Sequence, residues 1–435
     1  MIISKYNEKL VFILVLLFYH ISTNKNIENN KIINSQFLSN NKKDHFTNQN
    51  NKSLFNGNHI RYHFQEKFNN MKQFKINYSF EPYINLSTNL TFDENVNYIY
   101  NKTGMLNITK LENYILKKQS NINISQLNHI HISMSFNKNY TDLALISIAS
   151  ILNTSNFNTY IHFHILGLNF SICEIRKIIN LRKINNQVEF IFYNAKQAEY
   201  DFDIGLKDWR GIGNYAKILI PQIINGTNKI LILDSGDILC QKDLSELYFY
   251  DIEDNYFGWV LDQNAGNQMI KVDKFMTNYF HPNTGVFLVN IELFKKDELY
   301  KKAVFMSKSY NNFICPTQDI LITISYWKFK YIPLKFNIHD YYKNKEEETK
   351  KIRTKRIRSY LKLQMFSPYK YSVNEIYDAM SNPVIIHFYN NKIQKKTECD
   401  KIVIQWLSYA KLAGVYSRLK QLYPNPFSCE KYLQI

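Results

Sequence analysis

Cysteine is scarce: Cys173, Cys240, Cys315, Cys399 and Cys429 are the five in a chain of 435 residues. They are odd in number and far apart, so neither a zinc-ligand spacing nor a disulfide framework follows from them. A lumenal protein has room for one or two bridges, whose pairing is unreadable, and an apolar core must carry the stability. No internal repeat is present, which excludes a solenoid. The longest apolar run, Leu10 to Ile21, falls short of the roughly 20 residues that span an average bilayer. No small-x-small cleavage site follows it. Acids are outnumbered, giving a formal net charge of +17. The lysines are nevertheless spread through Asn/Lys-rich polar sequence, not gathered on one helical face or interleaved with stacking aromatics, and this argues against a nucleic-acid partner.

What is there begins with that apolar run behind Lys5 and Lys9. Residues 1–22 read as a signal peptide or a short signal anchor; a thin early-secretory membrane accepts a shortened span. Either one sends the chain into the secretory pathway: the ER or Golgi lumen, a single-pass type II membrane protein, or secretion. Glycosylation sequons give independent support, at Asn51, Asn77, Asn85, Asn89, Asn101, Asn107 and Asn123, and again at Asn139, Asn153, Asn169 and Asn225. Residues 23–127 are rich in Asn, Lys and Ser with no sustained period, and read as a low-complexity, poorly ordered stem. Weak patterns within it predict short strands near Phe74 to Tyr83 and a helix around Met105 to Lys118. The run Lys343 to Arg358 is densely charged and reads as a solvated insertion or helix, or as a basic patch for acceptor or membrane.

From residue 128 to about 425 the texture is that of one α/β domain. Ile130 to Phe136, Tyr160 to Leu166 and Val188 to Tyr193 have the alternation and β propensity of strands. Tyr140 to Leu152, Cys173 to Leu181 and Asn214 to Ile224 have apolar helical faces. Strands alternating with helices imply parallel βαβ units with right-handed crossovers, the layout of a nucleotide-binding sheet. Lys229-Ile-Leu-Ile-Leu233 is almost continuously apolar, as a strand buried on both faces must be.

That strand ends in Asp234-Ser-Gly-Asp237, where an open α/β sheet binds its ligands. Two carboxylates at a buried strand tip suit a hard divalent cation, which neutralises the charge developing on a diphosphate leaving group. Gly236 would let the chain turn so that both oxygens face one point. Taken alone, the tetrapeptide also fits a short acidic turn bonded to its own backbone.

The order of motifs decides between these readings. Asn137-Lys-Asn-Tyr140 with Ser147-Ile-Ala-Ser-Ile-Leu152, then Asn214-Tyr-Ala-Lys217, Asp234-Ser-Gly-Asp237 with Asp243-Leu-Ser-Glu-Leu247, Pro282-Asn-Thr-Gly-Val286, Gln318-Asp-Ile-Leu321 and Ile385-Ile-His387 follow one another along residues 129–413. This series resembles glycosyltransferase family 8, the group that includes glycogenin and bacterial lipopolysaccharide galactosyltransferases. The resemblance implies a GT-A fold, a Rossmann-like domain with a mostly parallel central sheet. It also implies retaining transfer of a hexose from a UDP-sugar to a glycan, lipid or protein acceptor, with Mn²⁺ or Mg²⁺.

By matching, Asp234, Asp237 and His387 would be the metal ligands, a carboxylate-and-imidazole set that suits Mn²⁺ better than Ca²⁺. Asn137, Asn139 and Tyr140 would meet the nucleoside, Tyr140 by stacking on the base. Otherwise Tyr140 is the first core residue of a helix, and His387 a core histidine at a strand end. Lys217 would meet a phosphate or the donor sugar, and Lys392 the diphosphate. Asn283, Gln318 and Asp262 would face the transferred sugar. The chain departs from the family where Asp-x-Asp becomes Asp234-Ser-Gly-Asp237 and where Thr317 replaces an acid before Gln318. Asn137 also stands where an Asp is common, and the loop after His387 is degraded to Asn390-Asn-Lys-Ile-Gln394. These departures keep open a catalytically silent lumenal binding protein of the same fold.

Overall fold

The computed structural model describes residues 105–107, 126–168, 170–202, 211–262, 282–309, 313, 315–325, 328–339, 371–388, 393 and 399–433. All fall within the unit Phe55–Ile435. The apolar segment at residues 1–22, the strands anticipated near Phe74 to Tyr83 and the charge run at residues 343–358 lie outside them. Among the described residues no helix is long and apolar enough to cross a membrane.

Eight strands form the central sheet. They are β1 (Met105–Asn107), β2 (Asn128–Asn137), β3 (Thr159–Leu168), β4 (Val188–Asn194), β5 (Lys229–Leu233), β7 (Phe257–Leu261), β8 (Pro282–Asn290) and β9 (Phe329–Tyr331), in the order β1-β4-β3-β2-β5-β8-β7-β9. The run β4-β3-β2-β5 is parallel, while β8 is antiparallel to both of its neighbours. Helices α1 (Thr141–Thr154), α2 (Ile172–Ile179) and α3 (Gly211–Ile223) fall where the apolar spacing places them. Ser171 starts α2 with a capping box to Glu174.

β5 is buried on both faces, with Leu231 and Leu233 in one apolar layer and Ile230 and Ile232 in the other. This is what its unbroken apolar run requires. The helix anticipated from Met105 is instead β1 at its first residues, paired antiparallel to β4. The cause is not local: the outer edge of β4 presents unpaired backbone groups, and a short strand satisfies them better than a weakly periodic helix does.

A second sheet, β10-β11-β6, joins β6 (Ile238–Cys240), β10 (Ile338–His339) and β11 (Ile385–His387). The chain remains packed to its last described residues. Cys399 and Cys429 form a disulfide, and Phe427 and Leu433 belong to the core with Trp406 on α5 (Lys401–Leu412).

One face of β2 and β3 carries histidines. His131 Nδ1 lies 3.0 Å from His164 Nε2, and His129 Nδ1 lies 2.8 Å from His162 Nε2. Burial, helped by the neighbouring His162 and His129, lowers the pKa of His131 to about 3. His164, fully enclosed, is also held well below the ordinary value by burial and its imidazole neighbours.

Candidate metal and donor-sugar site

The site forms where strand order reverses. β2 is the first strand of the parallel run, flanked by β3 on one side and β5 on the other, and ligands bind beyond the carboxyl ends of strands at such a switch point. Asn137 ends β2 and Asp234 follows β5, so both loops leave the same edge. Ser235 Oγ donates to the Ser135 carbonyl at 3.0 Å and ties the loops together.

Gly236 makes the acidic turn with φ of 85°, a left-handed conformation that favours glycine. Helix α1 pins this turn. Ser147 Oγ donates to the Ile238 carbonyl at 2.9 Å and accepts from the Gly236 N–H at 3.2 Å, while Ser150 Oγ accepts from the Cys240 N–H at 3.0 Å. The Asp234 N–H donates to the Gly285 carbonyl at 2.7 Å, anchoring the turn on β8.

The second sheet brings in the histidine. β6 starts one residue after Asp237 and pairs antiparallel with β11, setting His387 opposite Ile238. His387 Nε2 therefore lies 3.6 Å from Asp234 Oδ2 and 3.6 Å from Asp237 Oδ2. That separation is too long for a hydrogen bond. It suits three ligands around one ion, because two atoms each about 2.1 Å from a cation are themselves roughly 3 to 4 Å apart. One donor atom from each of Asp234, Asp237 and His387 lies within 4.8 Å of the others. The extra residue in Asp-Ser-Gly-Asp is absorbed by the glycine turn, and both acids reach the same point.

Three features fit this donor set to a divalent cation. The ring of His387 is 1 % exposed and its Nδ1 lies 3.0 Å from Asn337 Oδ1, so an Nδ1–H can donate there while Nε2 points to the acids, where a cation would take its lone pair. Burial opposes protonation of His387, yet the charges of Asp237 and Asp234 outweigh it and raise the pKa above the ordinary value; the same negative field would favour a cation, which must displace that proton from Nε2. Gly285 is the third feature: a Cβ there would sit 2.2 Å from His387 Cε1 and 2.8 Å from Asp234 Oδ2, so only glycine lets β8 pass this close.

Beside the acids is a buried polar chain. Asn283 Nδ2 donates to Asp262 Oδ2 at 3.2 Å, and Gln318 Nε2, on α4 (Pro316–Ser325), donates to the same oxygen at 3.0 Å and to the Pro282 carbonyl at 2.7 Å. Asn283 Oδ1 accepts from the Gly285 N–H at 2.9 Å and from Asn337 Nδ2 at 2.8 Å.

Comparison with known proteins settles the lineage. The family model described as "Glycosyl transferase family 8" matches residues 131–395, more than half of the chain. The chain belongs to glycosyltransferase family 8. A Haemophilus influenzae protein named "Putative glycosyltransferase" is 26% identical over 195 residues, covering 44% of this chain and 58% of that one. The chain thus spans little more than half the length of that curated relative. Among solved structures, the apo form of the bifunctional glycosyltransferase WbbM is similar with a TM-score of 0.53 at 16% identity, over 70% of this chain and 52% of that one. The galactosyltransferase LgtC, solved with donor and acceptor sugar analogues, has a TM-score of 0.48 at 20% identity, over 66% of this chain and 95% of that one. The fold is the GT-A type expected from the sequence.

Within this family 8 frame the remaining residues take definite places. Asn137 Oδ1 accepts from the Asn139 N–H at 3.0 Å and shapes the turn that presents Tyr140. Tyr140 is 42 % exposed, so it does not begin the core of α1. Lys217, on α3, is buried; its ammonium pairs with Asp234 Oδ1 and lies 3.2 Å from the Thr284 carbonyl. It therefore neutralises the carboxylate that faces His387. Thr317 donates to the Asn214 carbonyl at 3.1 Å and offers no charge. Lys392 lies outside the described residues. Reasoning from sequence missed Asn337, the steric need for Gly285, and His339, whose buried ring meets that of His387 edge-on at 5.1 Å. Burial lowers the pKa of His339 to about 3 despite the Asp262 carboxylate nearby.

Proposed function

We propose that the protein is a metal-dependent retaining hexosyltransferase that uses a UDP-sugar donor and a glycan, lipid or protein acceptor. The observation that carries this reading is the convergence of Asp234, Asp237 and His387 on one point at the switch point of the sheet. These three residues would hold Mn²⁺ or Mg²⁺, which when bound offsets the negative charge that develops on a diphosphate leaving group. Lys217 pairs with the Asp234 oxygen that does not face His387, so the two carboxylates that would hold the cation are partly offset by one ammonium before it binds. Tyr140 is exposed where a base can stack on it. Asp262 is oriented by amide donors from both Asn283 and Gln318 and presents a carboxylate to sugar hydroxyls.

The N-terminal segment and the sequons support a lumenal or membrane-tethered location in the secretory pathway. Enzymatic deglycosylation of the protein purified from such a host should shift its mass. An unshifted mass would count against that location.

A panel of UDP-sugars incubated with and without Mn²⁺ tests the activity. Release of UDP from one donor, lost on removing metal and lost in Asp237→Ala, is expected. Absence of turnover with every donor, and UDP binding indifferent to metal, would refute the reading. The uncharged Thr317 favours a second reading, a lumenal binding protein of the same fold. Tight Mn²⁺-dependent UDP binding with no turnover would select it.

A further inference from the structure

We propose that Asn337 is a positioning residue that fixes the tautomer of His387, taking its own orientation from the Gly285 N–H and the Asp262 carboxylate through Asn283. The inference rests on the metal-dependent reading above and assigns a role to a residue outside the predicted site.

The direction of each hydrogen bond forces the next. The Gly285 N–H can only donate, and it lies 2.9 Å from Asn283 Oδ1. The Asp262 carboxylate accepts, and it lies 3.2 Å from Asn283 Nδ2. Flipping the Asn283 amide would set donor against donor at Gly285 and acceptor against acceptor at Asp262, so its orientation is fixed at both ends. Asn283 Oδ1 thus faces Asn337, 2.8 Å away, and Asn337 must answer with its NH₂. The carbonyl of Asn337 is then turned to His387 Nδ1 at 3.0 Å. A carbonyl oxygen accepts only, so the ring proton sits on Nδ1 and the Nε2 lone pair faces Asp234 and Asp237.

All the participants are buried: Asn337 is 0 % exposed, His387 1 %, and Asn283 and Asp262 2 % each. Water therefore does not scramble the order. β10 and β11 pair with Ile338 beside Ile386 and His339 beside His387, and Asn337, one residue before β10, reaches His387 diagonally across this pair. The same chain reaches Gln318 through the shared Asp262 oxygen, so the residues proposed for the sugar and the ligand proposed for the metal are oriented by one network.

The test uses the full-length protein with ¹⁵N-labelled histidine, in two arms. Nitrogen chemical shifts of the metal-free protein, recorded at alkaline pH where imidazole is neutral, report which ring nitrogen of His387 carries the proton. Titration with Mn²⁺ gives the affinity. The wild type should show the proton on Nδ1, and Asn337→Leu should show mixed tautomers with Mn²⁺ affinity down roughly 10- to 100-fold. Asn337→Asp keeps an acceptor for the His387 Nδ1–H but removes the donor to Asn283. It should retain Mn²⁺ affinity within about threefold, as a carboxylate–histidine–metal arrangement does, while sugar transfer falls.

A filler residue would not separate these two variants. A wild-type His387 protonated on Nε2, or Asn337→Leu binding Mn²⁺ as the wild type does, would overturn the inference. If the wild type binds no Mn²⁺, the metal-dependent function fails by itself, and the tautomer arm still decides the role of Asn337.

Discussion

Gly285→Ala probes the site at its tightest point. The added methyl would lie 2.2 Å from His387 Cε1, 2.8 Å from Asp234 Oδ2 and 2.9 Å from Asn283 Oδ1, where ordinary contact begins at 3.4 Å. More than 1 Å must therefore open between β8 and the imidazole. His387 is fully packed on β11 and cannot swing aside without breaking its bond to Asn337. Overpacking of this kind costs about 1–3 kcal/mol of stability. A ligand displaced by about 1 Å loses on the order of 100-fold in function. Gly258→Ala is the matched control, because its Cβ would meet Ile252 at 2.5 Å and Ile332 at 3.2 Å, both aliphatic side chains outside the site. Thermal unfolding and Mn²⁺ titration of the two variants should diverge: both lose stability, and only Gly285→Ala loses metal affinity, by tenfold or more. Equal Mn²⁺ affinity in Gly285→Ala and the wild type would refute the packing described between β8 and His387.

Tyr140→Ala should weaken UDP binding by about 1–3 kcal/mol, the usual worth of stacking on a base, with no change in melting temperature because the ring is exposed; calorimetric titration with UDP checks it. Acid should destabilise the protein through imidazoles that partial or full burial keeps neutral. The folded-state pKa of His131 is depressed from 6.5 to about 3, so the neutral ring's stability is complete above 6.5 and is lost progressively as pH falls toward 3. For His131 alone this amounts to about 2 kcal/mol at about pH 5, and urea unfolding compared at neutral and acid pH should flatten in His131→Phe. Cys399→Ser opens a bridge of sequence separation 30 and should cost about 3–4 kcal/mol on the chain-entropy account, read as a lower urea midpoint that reductant reproduces in the wild type.

The parallel half of the fold was legible because its signals are local. β5 declared itself as an apolar run ending in acids, and α1 and α3 as apolar faces of helical period. Gly236 was readable for the same reason, since a tight turn leaves its mark in one residue. The rest of the site depends on pairings between distant segments. Asn337 stands 50 residues before His387, beside a strand of two residues that has no period to detect. The demand for glycine at position 285 comes from a ring on another sheet. The sequence suggests a helix where β1 lies because nothing in Met105 to Asn107 announces the open edge of β4 that the strand fills. His387 was found through resemblance to family 8, not through its own neighbours, which look like any buried strand.

Anomalous diffraction at the manganese edge, from crystals grown with Mn²⁺ and UDP, tests the central claim most directly. A single peak among Asp234, Asp237 and His387, about 2.1–2.3 Å from one oxygen of each acid and from Nε2 of the histidine, is the expected result. A peak that leaves His387 unligated, or UDP bound with no manganese between the two acids, would contradict it.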